Sequence, residues 1–227
     1  MRVIVFATRK GGSGKTTLAA HLAVEAELSG DGPVILIDTD PQRSLSDWWK
    51  ERQAASPKLL EAGLGSLRQQ LVETAGVEGY VMIDTPPLDA ATISTVVEVA
   101  DLVVIPVKPS PHDLRGVAVT VELVRQLGKP FVFVVNQAIA RASLTQQAPM
   151  VLSQFGRVAL EIVHARVDYA GSMTDGRTVQ EIDAGGKAAQ EMRNLWTYVK
   201  AQLRNDMDTE TRIDVNTETS LAQAANR

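Results

Sequence analysis

The chain contains no cysteine, which excludes disulfides, thiolate zinc sites and an iron–sulfur cluster and fits a reducing compartment. It also lacks any apolar run approaching the roughly 20 residues that a spanning helix needs. Met1 leads directly into the apolar run Val3–Ala7 instead of a secretory leader, so a cytoplasmic location is expected. A basic excess is missing too. The formal net charge is −4, and residues 206–227 hold five acids against two arginines, which leaves −1 on residues 1–205. A nearly neutral body confines any nucleic-acid contact to a local patch. The three histidines, at 21, 112 and 164, show no metal-ligand spacing, and no internal repeat is visible.

What the chain does have is apolar content, 44% over 227 residues, enough for one well-buried α/β domain. Short apolar runs at Val3–Thr8, Val34–Asp38, Tyr80–Asp84, Leu102–Val107 and Phe131–Asn136 read as buried strands, with a further short one near Ala159–Val163. Helical patterns separate them, at 15–30, 43–55, 64–76, 89–100, 113–128, 144–155 and 186–204. Continuous apolar strands between helices indicate a mostly parallel central sheet covered by helices on both faces, with ligands at the carboxyl ends of the strands. The domain is expected to span 1–205. The polar remainder, 206–227, is expected to be a disordered tail.

The first strand runs into Arg9-Lys10-Gly11-Gly12-Ser13-Gly14-Lys15-Thr16-Thr17 and then into an Ala/Leu-rich helix. A helix that starts at a glycine-rich loop aims several unpaired N–H groups, at the positive end of its dipole, at one spot suited to a polyphosphate. Gly11, Gly12 and Gly14 permit close anion approach, Lys15 can reach the terminal phosphates, and the Thr16 hydroxyl can coordinate Mg²⁺. The strict phosphate-loop pattern would require glycine at 9, where arginine stands. With Lys10 ahead of the double glycine, the loop instead resembles the deviant Walker A loop of the ParA/MinD family of P-loop ATPases.

The resemblance implies much of the chemistry. Lys10 would reach across a dimer interface to the partner's phosphates, making ATP binding a homodimerisation event. Asp38-Thr39-Asp40-Pro41-Gln42 resembles the ParA switch region, in which Asp40 positions the attacking water and Asp38 lies near the metal; an Asp-Pro turn that merely ends a strand is the alternative. Tyr80–Asp84 followed by Thr85-Pro86-Pro87 is a Walker B arrangement, with Asp84 binding Mg²⁺ through water. Lys10, Lys15 and Asp40 are thus the catalytic candidates. Residues 10–17 and Asn136 are the nucleotide-binding ones, Asn136 matching in position an asparagine used toward adenine or simply ending a strand in a turn. Thr16, Asp38 and Asp84 are the metal candidates, the two acids through water.

Three further features are less determined. Pro106–Asp113 is a proline-stiffened segment at the sheet edge, suited to flank nucleotide or dimer interface. Trp48 and Trp49 are helix neighbours about 100° apart, so one is expected in the core and the other at an edge or interface. On the last helix, Arg193, Lys200 and Arg204 form a row beside the apolar stripe of Ala188, Met192, Leu195, Trp196, Val199 and Leu203. That row fits a solvated flank, and also non-specific DNA contact, which the resemblance implies for ParA-type dimers.

The expected function is a slow, partner-stimulated ATPase of the short ParA type: ATP and Mg²⁺ bind, the homodimer associates with the nucleoid through non-specific DNA, and a ParB-like or other adaptor stimulates hydrolysis to segregate or position a cargo. Plasmid, chromosome, chemoreceptor-cluster and carboxysome systems all fit. No N-terminal extension for a helix-turn-helix is expected. The alternative is a MinD-like membrane-cycling ATPase, disfavoured because a polar acidic segment follows Arg204 instead of a basic amphipathic helix. A nitrogenase iron-protein relative would need cysteine, and a cofactor-amidating relative would need a further domain.

Overall fold

The computed structural model describes residues 1–204 apart from 62, 75, 88 and 89. The expected tail, 206–227, lies outside the described residues. The strands are β1 (Arg2–Phe6), β2 (Val34–Asp38), β3 (Lys58–Leu60), β4 (Tyr80–Asp84), β5 (Leu102–Val107), β6 (Phe131–Val135) and β7 (Arg157–Val158). They form one sheet in the order β3-β2-β4-β1-β5-β6-β7, and every pairing is parallel, so the sheet is wholly rather than mostly parallel.

The helices are α1 (Lys15–Leu28), α2 (Ser44–Lys50), α3 (Leu67–Glu73), α4 (Ala90–Val97), α5 (Pro111–Gln126), α6 (Ser143–Ser153), α7 (Val167–Ser172), α8 (Val179–Ile182) and a last helix, α9, over residues 187–204. Side chains alternate across the strands, so each strand feeds two cores. Ile4 and Phe6 of β1 pack with Leu18 and Leu22 of α1 and Leu195 and Trp196 of α9. Val3 and Val5 face the opposite layer, with Val117 and Val121 of α5 and Leu152 of α6.

Several boundaries differ from the sequence expectation for local reasons. The helix expected over 43–55 ends at Lys50, because the chain must turn before Pro57 and re-enter the sheet as β3, a strand the sequence pattern did not suggest. The strand expected near Ala159–Val163 is instead β7 at Arg157–Val158, with an isolated bridge from Ala138 to His164 beyond it. Pro106 and Val107 belong to β5, an interior strand. Ser110 then caps α5 by accepting from the Asp113 N–H at 3.1 Å, with Pro111 in the first turn, where its missing N–H costs nothing.

His21, in the middle of α1, is fully buried, 2.8 Å from the Thr17 carbonyl, with its ring edge-on to Tyr169. Burial disfavours the imidazolium and drops its pKa to about 4. A histidine whose folded pKa lies below its ordinary value contributes full stability above about pH 6.5 and loses it as pH falls toward 4, roughly 3 kcal/mol in all. The His21 ring resonances should stay in the neutral position until near pH 4, followed by NMR. A midpoint near 6.5 would contradict this burial.

Candidate active site

Register places the site. β2 and β4 pair with Asp38 opposite Asp84, and β1 and β4 pair with Phe6 opposite Asp84. Both acids and the loop that follows β1 therefore meet at the carboxyl edge of the sheet. In that loop Gly12 and Gly14 have φ of 67° and 94°, a region that side chains rarely adopt. Gly14 is needed for a second reason, since a Cβ there would lie 2.3 Å from the Asn136 amide nitrogen. That amide donates to the Ser13 carbonyl at 2.7 Å, and the neighbouring Gln137 donates to the Gly12 carbonyl at 2.9 Å. With these carbonyls held from outside, the N–H edge of the loop is left for a ligand.

Lys15 is buried, and burial lowers its pKa against the raising influence of Asp84 and Asp40. Thr16 Oγ1 donates to Asp84 Oδ2 at 2.5 Å. Asp84 is completely buried, and burial raises its pKa to about 7, with Asp38 and Asp40 adding to the rise and Thr16 and Lys15 opposing it. Its other oxygen, Oδ1, is buried without a hydrogen-bond partner. A buried carboxylate oxygen left free beside a threonine hydroxyl fits a hard divalent cation, which takes few protein ligands and fills the rest with phosphate and water oxygens. Among the described residues no group of three or more His, Cys, Asp or Glu is placed to bind a metal.

Both carboxylate oxygens of Asp38 accept hydrogen bonds within the protein. Its Oδ1 accepts from the Asp40 N–H at 3.0 Å, and its Oδ2 accepts from the Ser46 N–H at 2.8 Å and the Ser46 hydroxyl at 2.9 Å. It ties the turn that carries Asp40 to the first turn of α2. Asp40 in turn accepts from the Gln42 N–H at 2.9 Å and lines an open cleft of about 730 Å³ with Lys15, Thr16, Trp48, Glu51 and Met173. Gly14, Thr17 and Gln137 also line a second cavity of about 380 Å³, whose far wall is His164, Arg166 and Tyr169. Glu191 organises that wall, accepting from Tyr169 at 2.8 Å and from Arg166 at 2.6 Å, with the His164 ring 2.8 Å away.

A glycine-rich loop opening α1, a Thr–Asp pair with a free buried oxygen and a carboxylate turn facing them form an arrangement suited to a nucleotide. Residues 4–183 match the model of the CobQ/CobB/MinD/ParA nucleotide binding domain. The chain belongs to this family. It is 42% identical over 142 residues to the maintenance of carboxysome distribution protein A of Gloeobacter kilaueensis, covering 57% of this chain and 58% of that protein. Its namesake from Halothiobacillus neapolitanus is 31% identical over 202 residues, covering 84% and 92% respectively. Among solved structures, the ATP complex of a Cyanothece McdA variant superposes with a TM-score of 0.73 at 18% identity, over 89% of this chain and 96% of that one. It shares the fold.

As a MinD/ParA-type domain, the chain keeps its two loop lysines apart. Lys10 is exposed and absent from the cleft lining; its Cε lies 3.1 Å from where a Cβ on Gly116 would stand, so it rests against α5. Asn136 braces the phosphate loop and also lines the second cavity. Trp48 is buried with its indole N–H donated to the Arg177 carbonyl at 3.0 Å, whereas Trp49 is half-buried and donates to the Pro57 carbonyl at 2.8 Å.

The basic row of α9 is unequal. Lys200 is paired with Asp31 at 2.7 Å, Arg193 donates to the Ala184 carbonyl at 2.8 Å, and Arg204 is exposed. Sequence reasoning missed Gln137, adjacent to Asn136, and the Glu191 cluster, in which His164, Arg166 and Tyr169 lie 22 to 27 residues before Glu191. The pairing of Glu191 with His164 had no local signal.

Proposed function

We propose that the chain is an ATP-dependent positioning switch: nucleotide binding closes two copies into a homodimer, the dimer holds non-specific DNA, and an adaptor protein stimulates hydrolysis and release. The observation that carries this reading is the divergence of the two loop lysines, Lys15 buried in the cleft and Lys10 exposed outside it. The names of the carboxysome-distribution relatives support a large cargo.

In this reading the loop N–H groups and Lys15 grip the phosphates, and Thr16 with Asp84 would hold Mg²⁺. Bound there, the ion would neutralise charge on the phosphate oxygens. Asp40 orients a water whose oxygen attacks the γ-phosphorus as the bond to the bridging oxygen breaks. That bond's electron pair leaves with ADP, and the water's proton ends on inorganic phosphate. Since phosphoryl transfer asks mainly for alignment and charge stabilisation, one well-placed carboxylate is sufficient. Among the described residues no helix is long and apolar enough to cross a membrane.

The DNA surface in this reading is α9, and its pairing state decides the test. Lys200 already spends its charge on Asp31, so Arg193 and Arg204 should carry most of the phosphate contact. Measured on a random-sequence duplex with ATP, Arg193→Ala combined with Arg204→Ala should weaken binding and flatten the slope of log affinity against log salt by about 2 per protomer. Lys200→Ala alone should change it less. An unaltered slope in the double variant would move the DNA surface off this helix.

A further inference from the structure

The hydrolytic turn is held by α2, and α2 is held at its far end by an arginine that the nucleotide chemistry does not use. Arg52 stands two residues past the end of the helix, and its side chain is 3% exposed. It forms a two-point pair with Glu181, Nη2 to Oε1 at 2.7 Å and Nη1 to Oε2 at 2.9 Å, and Nη1 also donates to the Gly176 carbonyl at 2.7 Å. Nε and Nη2 both donate to the Ser56 carbonyl, at 3.1 and 2.8 Å. The same guanidinium lies over the Trp48 ring, 5.2 Å from its centroid, and the Trp48 indole is fastened to Arg177.

The fit is close on the backbone as well. Gly176 has a φ of 75°, and a Cβ on it would fall 2.3 Å from the Arg52 nitrogen. Glu181 is fixed independently by its capping box with Thr178 at the start of α8. One end of α2 is thus bolted to the 173–181 segment, while Ser46 at the other end holds Asp38, and Asp38 holds the N–H of Asp40. The links are hydrogen bonds, the Arg52–Glu181 ion pair and the stacking of Arg52 on Trp48.

We infer that Arg52 is a positioning residue for ATP hydrolysis: it fixes α2 so that the Asp38–Asp40 turn presents Asp40 to the attacking water. The inference rests on the functional reading of Asp40 above. Arg52 is not among the residues lining the cleft that holds Lys15 and Asp40. Its loss should therefore spare nucleotide binding, which the phosphate loop supplies, and impair the step that depends on alignment, where a displacement of about 1 Å can cost on the order of a hundredfold. A lysine has one compact charge and cannot reproduce the planar fork.

The test compares wild type, Arg52→Ala, Arg52→Lys and Trp48→Phe for steady-state ATP turnover, affinity for a fluorescent ATP analogue and thermal melting. Arg52→Ala should lower kcat at least tenfold with KM and analogue affinity within about twofold of wild type, and Arg52→Lys should recover part of the loss. Trp48→Phe keeps an aromatic face for the guanidinium but removes the pyrrole ring of the indole with its N–H, so it should lower kcat about threefold even if Arg52→Ala fails to fold. A lower melting temperature with kcat per folded molecule unchanged would make the clasp purely structural and overturn the inference. Parallel losses of kcat and affinity would overturn it too. A wild-type protein that binds ATP without hydrolysing it would instead defeat the underlying reading of Asp40.

Discussion

Lys15→Gln is expected to bind ATP at least a hundredfold more weakly than wild type while its fold survives. Lys15 is almost wholly buried beside Asp84 and Asp40, and burial works against its charged form. Asp84 and Asp40 offset part of that burial and a polyphosphate would offset more, so an uncomplexed protein should tolerate a neutral side chain of similar length. A charged hydrogen bond to phosphate contributes about 1.5–3 kcal/mol, and a desolvated site raises that figure. Removing it should therefore cost about 3 kcal/mol of affinity or more, a factor of at least a hundred. Calorimetry on the apo protein with MgATP, alongside a melting curve, separates lost binding from lost folding. Retained affinity would mean that the phosphates sit elsewhere.

Asp40→Ala should do the opposite, binding ATP as well as wild type and hydrolysing it about a hundred to a thousand times more slowly. The side chain accepts a hydrogen bond from Gln42 in its own turn and is separate from the loop that grips the phosphates. The turn itself should persist, because Asp38 anchors it through the Asp40 N–H and Ser46, contacts that the substitution leaves in place. What disappears is the carboxylate facing the cleft, and with it the alignment of the attacking water. Quench-flow measurement of phosphate release under single-turnover conditions reads the effect directly, and an unaltered rate would remove Asp40 from the chemistry.

The parts of this site that were legible in the sequence are those encoded over short spans. The phosphate loop is nine consecutive residues, Asp84 ends an apolar run, and the Asp38–Asp40 turn ends another. The fold class followed from the same runs, because a strand buried on both faces needs no partner information to be recognised. β3 was not legible: three residues, Lys-Leu-Leu, carry too little periodicity to separate a strand from the end of a helix.

What the sequence concealed are pairings over long separations. Arg52 and Glu181 are 129 residues apart, Lys200 and Asp31 169. The first braces the end of α2, and the second spends a charge that the helical periodicity placed on a basic row. Asp38 shows a subtler limit. Its position at the metal edge was foreseeable, but its engagement with Ser46 depends on α2 starting just after a left-handed residue, Arg43 at φ 54°, a conformation the residue type does not announce.

The central claim is that Lys10 makes nucleotide binding a dimerisation event, and the molar mass of the Asp40→Ala protein in solution tests it most directly. With MgATP, light scattering behind size exclusion should give twice the 24.5 kDa of one chain, and without nucleotide a single chain. Adding Lys10→Ala to that variant should return it to the monomer with ATP still bound. A double variant that still dimerises with ATP, or an Asp40→Ala protein that stays monomeric at saturating MgATP, would contradict the account.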